Sequence, residues 1–118
     1  MPSQSEWAIL YRGGTTGGSP ANALANTWIW YQLNASATEG AKGYEIKPDG
    51  VTTTLFLPAN GFRERGNARL YSLGAGGFYW SGSTSGVNAF SMPFNTANIT
   101  PAGVYGRGYG MAIRCIKN

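Results

Sequence analysis

The chain lacks histidine altogether, and it has a single cysteine, Cys115, and a single aspartate, Asp49. Without an imidazole group it cannot form a Ser-His-Asp triad, a Cys-His pair or a histidine zinc site. One cysteine also excludes a disulfide within the chain and any metal site built from several cysteines. We therefore expect no catalytic residues, no metal and no cofactor, and we predict that the protein is not an enzyme.

Charged residues are also scarce, at 12% of the chain, which is about half the usual share of a soluble domain. Lysine and arginine together number 9 against 5 acidic residues, which gives a net charge of +4. The local cluster of like charge is Arg63, Arg65 and Arg69, interrupted by Glu64. We interpret it as a solvated loop, with contact to an anionic partner as the alternative. Nucleic-acid binders usually concentrate positive charge in a stripe, so we expect no nucleic-acid partner.

Acidic clusters and long apolar runs are missing too. The carboxylates are scattered, which disfavours both the paired acids of a glycosidase and the clustered oxygen ligands of calcium. No apolar run approaches the ~20 residues of a transmembrane helix and no signal peptide is visible, so we expect no membrane insertion. Met1 leads directly into Pro-Ser-Gln-Ser-Glu-Trp, which is typical of a domain interior. We therefore expect upstream residues to be missing.

What the chain does have is 14% aromatic residues and 18 glycines, which is typical of one loop-rich domain with short strands. Ser3 and Glu6 have the spacing of a capping box, which predicts a helix start. Apolar side chains then recur at helical spacing, at Trp7, Leu10 and Tyr11. Ser19-Pro20 offers the start of a second, shorter helix.

Strand patterns fill the rest of the chain. Residues 28–31 are apolar and aromatic, which predicts a buried strand or a plug of the core. Residues 43–57 predict a hairpin around the turn Pro48-Asp49-Gly50, and residues 78–80 predict a short aromatic strand. Aromatic side chains in such strands either stack on sugars or pack in the core. We predict core packing for Trp28, Trp30, Tyr79 and Trp80.

The last third of the chain contains the clearest strand pattern, in which apolar and polar positions alternate. The predicted core positions are Phe90, Met92 and Phe94, and the predicted outward positions are Ser91, Pro93 and Asn95. Pro93 cannot donate a ladder hydrogen bond, so this strand should lie at an edge or carry a bulge. Met111, Ile113 and Cys115 alternate again, which predicts a final strand with a buried, inert thiol.

A candidate ligand-binding surface follows from the loops of this last third. Their residues are small, polar or aromatic and almost uncharged, which is the composition that antibody paratopes use for adaptable contacts. The alternative is that they are loop residues without a binding role. The candidates are Ser83, Thr84, Ser85, Ser91, Asn95, Thr96, Asn98, Val104, Tyr105 and Gly106.

Five short segments of the sequence occur in an order and spacing that resemble one family. They are Pro2-Ser-Gln-Ser-Glu-Trp7, Leu57-Pro-Ala-Asn-Gly-Phe-Arg63, Tyr79-Trp80-Ser81, Asn88-Ala89-Phe90 and Arg114-Cys115. Over essentially its whole length, the chain resembles the Fibrobacter succinogenes major paralogous domain family. The resemblance implies an α+β fold, a single C-type lectin-like domain over residues 1–118. One or two helices would flank a small, mostly antiparallel sheet with long loops.

The same domain type serves as the target protein of diversity-generating retroelements, which randomise adenines in asparagine codons of a C-terminal variable region. The resemblance implies that the variable positions here are Ser91, Pro93, Asn95, Gly103, Val104, Tyr105 and Gly106, which adds Pro93 and Gly103 to the candidate surface. It implies a non-enzymatic module that binds a protein or another macromolecular ligand at a cell surface. The implied location is extracellular, on a cell surface of gut or rumen bacteria or on a phage virion.

The chain departs from the family pattern in three ways. Family members usually carry a cysteine just before the position of Pro2, the implied partner of Cys115, and Asn60 stands where alanine is common. The calcium-site tripeptides of sugar-binding lectins are missing, so the fold resemblance implies neither calcium nor sugar binding. The alternative function is a structural or adhesive domain of a bacterial surface lipoprotein without a variable site. A relative of the formylglycine-generating enzymes is disfavoured, since those rely on paired cysteines. The oligomeric state stays open.

Overall fold

In a computed structural model, which describes residues 1–11, 17–20, 27–32 and 42–116, these residues form one helix and eight strands. The elements are α1 (Gln4–Tyr11), β1 (Thr27–Gln32), β2 (Lys42–Lys47), β3 (Leu55–Pro58), β4 (Asn60–Arg63), β5 (Leu70–Leu73), β6 (Gly76–Ser85), β7 (Asn88–Asn95) and β8 (Gly103–Tyr105). One sheet has the order β1-β2-β3 and the other β5-β4-β6-β7-β8. Among these strands the β4–β6 pair is parallel and the other pairs are antiparallel. The predicted α+β class with a small, mostly antiparallel sheet is confirmed.

The helix α1 begins with the predicted capping box. The Ser3 backbone N–H donates to Glu6 Oε2 over 2.6 Å, and the Glu6 N–H donates to Ser3 Oγ over 3.2 Å. These hydrogen bonds to Ser3 favour the charged carboxylate and lower the pKa of Glu6. Trp7 and Tyr11, four residues apart, bury one face of the helix. The body of the second helix, predicted after Ser19-Pro20, lies outside the described residues.

The predicted hairpin is formed by β2 and β3, in which Ile46 pairs with Leu55. In the connection between them, Asp49 Oδ1 accepts the Thr52 N–H over 2.6 Å and the Val51 N–H over 2.8 Å. The hydrogen bond from Thr52, followed by that from Val51, lowers the pKa of the Asp49 carboxyl. This aspartate therefore closes a turn, as its position after a proline predicts. Of the two predictions for residues 28–31, the strand is confirmed, as β1 on the other side of β2. It is buried only in part, because Trp28 is buried while Ile29 and Tyr31 are exposed.

The core lies between α1, the three-stranded sheet and one face of the five-stranded sheet, and aromatic rings dominate it. Phe94 stacks on Tyr79 with centroids 6.0 Å apart and meets the edge of Tyr44 at 5.3 Å. The Tyr79 and Tyr44 hydroxyls donate to backbone carbonyls of β3 and β7 over 2.8 and 2.6 Å, and burial raises the pKa of both to about 12. Gly77 leaves room for Phe94, because a Cβ there would overlap the ring.

The predicted core packing is confirmed for three of the aromatic residues, namely Trp28, Trp30 and Tyr79. Trp80 is half-buried, and the alternation of side chains along β6 directs it to the face opposite Tyr79. The prediction of core packing is therefore wrong for Trp80, because two consecutive strand residues face opposite sides of the sheet.

Strand β7 has the predicted phase at its centre. Met92 and Phe94 are buried in the core, whereas Phe90 is half-buried and lies outside the core cluster. The strand lies between β6 and β8, but β8 pairs with residues 89–91 and ends before Pro93. The Pro93 carbonyl instead accepts the Thr100 N–H over 3.0 Å. The predicted edge position is therefore wrong, because β7 has a strand on each side, and Pro93 is tolerated because β8 ends before reaching it. The alternative, a bulge, occurs in the pairing of β6 with β7 between Trp80 and Thr84, away from Pro93.

The predicted final strand at residues 111–115 is wrong. Gly110 forms an isolated bridge to Arg63 of β4, and Ala112 forms one to Tyr79 of β6. The segment thus fills the gap that opens where β4 and β6 diverge. Ala112 packs against the core while Ile113 is 61% exposed, so the inward phase is opposite to the predicted one.

Cys115 is exposed, so the prediction of a buried thiol is also wrong. The chain leaves the sheet after the bridge at Ala112, and residues 113–116 belong to no strand that would bury one side of them. Cys115 instead lines an apolar depression of about 280 Å³ together with Pro2 and Trp7 of the chain start.

Candidate functional site

The face of the five-stranded sheet opposite the core carries a group of aromatic rings. Side chains alternate along a strand, so the burial of Tyr79 places its neighbour Phe78 on this opposite face. The group is completed by one ring from each of β4, β5 and β8 and by one from the loop after β8. We call these five side chains the aromatic row: Tyr71, Phe62, Phe78, Tyr105 and Tyr109.

Each ring of the aromatic row contacts at least one other. Phe62 stacks on Tyr71 with centroids 5.7 Å apart and meets the edge of Phe78 at 4.7 Å. Tyr105 reaches across β7 to Phe78 at 6.2 Å and also contacts Tyr109 at 5.9 Å. Tyr109 in turn contacts Phe62 at 5.9 Å, so four of the rings form a closed circuit. Burial, followed by the neighbouring Tyr109, raises the pKa of Tyr105. Ring pairs of this geometry add stability beyond that gained by burying their surface. The contacts between the rings therefore stabilise the arrangement of the row.

Ser91 lies on this face but is 0% exposed, so its predicted exposure is wrong. Its strand neighbours are Trp80 of β6 and Gly103 of β8, and the rings of Phe78 and Tyr105 meet across β7. A small side chain on a middle strand is covered by such larger neighbours. Its hydroxyl donates to the Gly103 carbonyl over 3.4 Å. Ser91 therefore lies beneath larger side chains, where it packs within the sheet and does not reach the surface.

Beside the aromatic row is an open groove of about 480 Å³, at the end of β7 where β8 has stopped. We call it the β7 groove. It brings together four predicted binding residues: Pro93, Asn95, Asn98 and Tyr105. Its other lining residues are Ser72, Ala75, Gly76, Phe78, Phe94 and Thr100.

The β7 groove presents polar side chains, and the backbone turn beside it is held by hydrogen bonds of its own. Asn95 Oδ1 accepts the N–H groups of Ala97 and Asn98, each over 2.9 Å, so the turn after β7 is closed by its own contacts. The Asn98 side-chain amide and the Thr100 hydroxyl form no hydrogen bond within the part of the chain that the structure describes. An amide and a hydroxyl each both donate and accept, so these groups suit a polar ligand.

The serine-threonine end of β6 lies away from this groove. Ser83, Thr84 and Ser85 are at the turn end of the β6–β7 hairpin, and Thr84 pairs near the start of β7. The groove residues are at the other end of β7, about 20 Å along the strand. Ser83 Oγ accepts the Gln4 N–H over 3.0 Å, which anchors the hairpin to α1. Ser83, at this end of β6, therefore has a structural role.

The predicted residues around β8 also separate. Val104 is 48% exposed, but strand alternation directs it away from the aromatic row. Gly103 packs closely on Pro93, since a Cβ there would lie 2.7 Å from the Pro93 Cδ. Thr96 and Gly106 lie outside the lining of the groove.

Sequence reasoning missed several members of the aromatic row: Phe62, Tyr71, Phe78 and Tyr109. The signal for Phe78 is present, because consecutive aromatic residues in a strand must face opposite sides. Phe62 and Tyr71 meet through the pairing of β4 with β5, which no local pattern announces. Arg65 and Arg69, predicted to be loop residues, lie over rings of the row.

Within residues 1–11, 17–20, 27–32 and 42–116, no three His, Cys, Asp or Glu side chains form a group that could hold a metal ion. No helix in that same part of the chain has the length and apolar character needed to span a membrane. No family model, curated protein or solved structure matches this chain.

Proposed function

We propose that this protein is a non-enzymatic ligand-binding module whose ligand is a protein or another macromolecule at a cell surface. The observation that carries the proposal is the β7 groove beside the aromatic row, on a sheet whose other face is core. The groove supplies amide and hydroxyl groups that have no hydrogen-bond partner among the described residues, and the row supplies ring area, a combination typical of paratopes. A packed sheet that holds such residues at strand ends is a common scaffold for recognition.

We further propose that the domain has the C-type lectin-like fold of the paralogous domain family that its sequence resembles. That resemblance implies a cysteine just before the position of Pro2 that pairs with the position of Cys115, so these two parts of the chain should be neighbours. In support, Pro2 and Cys115 line one depression, and the Pro2 carbonyl accepts the Gly82 N–H over 2.8 Å. An extracellular location, on a cell or a virion, follows from this proposal.

The variable protein of a diversity-generating retroelement is the form of this function that we propose. Three positions that the resemblance treats as variable, Pro93, Asn95 and Tyr105, line the same groove. A site that varies must accept substitution without unfolding the domain, and partly exposed positions on a packed sheet meet that requirement.

Sequencing the 3′ end of the gene and its neighbourhood tests the variable-protein proposal. We expect a near-copy that differs at adenines, a reverse transcriptase gene beside it, and differences concentrated in the codons of groove residues. Differences at other bases, or no near-copy, would contradict the proposal. That outcome would favour a structural or adhesive domain of a surface lipoprotein.

Flow cytometry with the fluorescently labelled domain on a panel of gut bacterial cells tests binding directly. We expect Asn98→Ala combined with Tyr105→Ala to weaken binding about tenfold or more, equivalent to about 1.4 kcal/mol. Val104→Ala is the matched control, because Val104 is exposed but faces away from the groove. Unchanged binding by the double variant, or an equal loss in the control, would contradict the groove as the site.

A further inference from the structure

Two arginines lie over the aromatic row. Arg65 Cζ is 5.8 Å from the ring centroid of Tyr109, and Arg69 Cζ is 5.9 Å from that of Tyr71. We propose that these arginines make the aromatic row a docking site for an acidic protein surface, whose Asp or Glu carboxylates pair with the guanidinium groups. The inference rests on the proposed function and deepens it by naming the chemistry of the partner.

The rings attract the two guanidinium groups, and the N–H groups of these guanidinium groups remain available to a ligand. A cation over the face of a ring is held by the ring quadrupole, and a guanidinium has five N–H donors around its plane. Within the described ranges, neither Arg65 nor Arg69 forms a side-chain hydrogen bond or an ion pair. Arg63 differs, since its Nη1 donates to the Ala68 carbonyl over 2.9 Å. Arg65 and Arg69 therefore combine a position over the row with guanidinium groups that have no hydrogen-bond partner among the described residues.

The loop after β8 also confines Arg65. A Cβ at Gly108 would lie 3.1 Å from Arg65 Cβ, and a Cβ at Gly106 would lie 3.5 Å from Arg65 Nη1. These glycines let the backbone pass close to the arginine side chain. A side chain confined before binding loses less freedom when a partner arrives, which favours a carboxylate contact at this position.

The described carboxylates do not compete for these arginines. Glu6 is engaged by the helix cap and Asp49 by its own turn. Glu45 pairs with Lys47 over 3.5 Å, and Glu64 Oε2 accepts a backbone N–H of its own loop over 2.7 Å. With a net charge of +4, the chain as a whole also attracts a negatively charged partner. Opposite charge therefore favours association both at long range and at contact.

Apolar surface beside the arginines favours a protein over another polyanion. On β5, at the edge of the sheet, Leu70, Tyr71 and Leu73 are 38%, 39% and 41% exposed. Aromatic residues and arginine are enriched in protein interfaces and among the residues that dominate binding energy. A nucleic-acid site would require a longer basic stripe.

The test uses a fluorescein-labelled copolymer of glutamate and tyrosine as the probe, with fluorescence anisotropy at low and physiological salt. We expect saturable binding that Arg65→Gln with Arg69→Gln weakens about tenfold. Lys42→Gln with Arg114→Gln is the matched control, because it removes the same charge away from the row and should weaken binding less than about twofold. Arg65→Lys with Arg69→Lys keeps the charge but loses the forked donors, so we expect an intermediate loss.

No binding of the copolymer, or equal losses in the two glutamine double variants, would overturn the proposal. Tighter binding of heparin or single-stranded DNA through the same arginines would also overturn it, because the site would then recognise polyanions in general. Circular dichroism checks folding, and Arg69→Gln alone replaces the double variant if that variant misfolds. If the copolymer fails while cell binding still depends on Asn98 and Tyr105, the acidic partner is contradicted and the proposed function stands. If copolymer binding depends on the arginines while cell binding ignores the groove, only the groove assignment fails.

Discussion

At the scale of single residues, the start of α1 shows how two side chains satisfy backbone N–H groups that a helix leaves open. Replacing Ser3 with alanine removes the acceptor for the Glu6 N–H. We expect the free energy of unfolding to fall by about 1 kcal/mol, measured by urea denaturation. The exposed Ser5 offers the matched control, and Ser5→Ala should stay within about 0.5 kcal/mol of wild type. An unchanged midpoint for Ser3→Ala would argue against the capping box.

The lowered pKa of Glu6 makes the same contact sensitive to pH. Since folding lowers this pKa, the folded protein binds fewer protons here than the unfolded chain. Its contribution to stability is therefore complete above the unfolded pKa, about 4.3, and is lost as the pH falls through the lower folded value. We expect Glu6→Gln to lose less stability than wild type as the pH falls from 5 to 2, measured by thermal unfolding. An identical acid limb in wild type and variant would contradict the contact.

The exposed thiol of Cys115 gives a direct chemical test of the chain end. We expect a thiol reagent to label the native protein at a rate close to that of the urea-unfolded chain, because Cys115 is open to solvent. Cys115→Ser should leave the free energy of unfolding within about 0.5 kcal/mol of wild type. Strong protection of the thiol in the native protein would contradict this exposure.

At the scale of elements, strand β7 separates a core face from the face that carries the candidate site. Phe94 contacts the rings of Trp30, Tyr44 and Tyr79. We expect Phe94→Ala to cost about 3 kcal/mol or more, because it leaves a cavity among rigid rings. Phe90→Ala, on the same side of the strand but half-buried, should cost less. Equal losses of unfolding free energy for the two variants in a urea titration would contradict the placement of Phe94 inside the core and of Phe90 at its margin.

At the scale of the whole molecule, one sheet supports both the core and the candidate site. Its positions therefore differ in how far a substitution lowers the stability of the protein. Replacing the exposed Thr96, Asn98 and Val104 together with alanine should change stability by about 0.5 kcal/mol or less per position. Ser91→Leu should cost about 1–3 kcal/mol, because its covered position leaves no space. Differential scanning calorimetry compares the two variants. A fully stable Ser91→Leu protein would contradict the burial of Ser91, and unfolding of the triple variant would make these loops part of the scaffold.

The sequence by itself determined the elements whose deciding contacts are local. Ser3 and Glu6 lie within one helical turn, so their spacing predicts the cap of α1. The turn at Asp49 brings β2 and β3 together over a short separation. Alternation predicts which side of β7 Met92 and Phe94 occupy, since a shift by one residue would expose both.

Tertiary structure alone decided what covers each position and which strands become neighbours. Alternation predicted the face that Ser91 occupies, but the rings that meet over its strand come from β6 and β8. The apolar alternation that ends at Cys115 resembles a strand, yet a strand needs a partner, and residues 113–116 have none among the described strands. Phe62 and Tyr71 become one surface through the pairing of β4 with β5. Pairing and coverage depend on residues distant in sequence, so a local pattern contains the phase of a strand but not its surroundings.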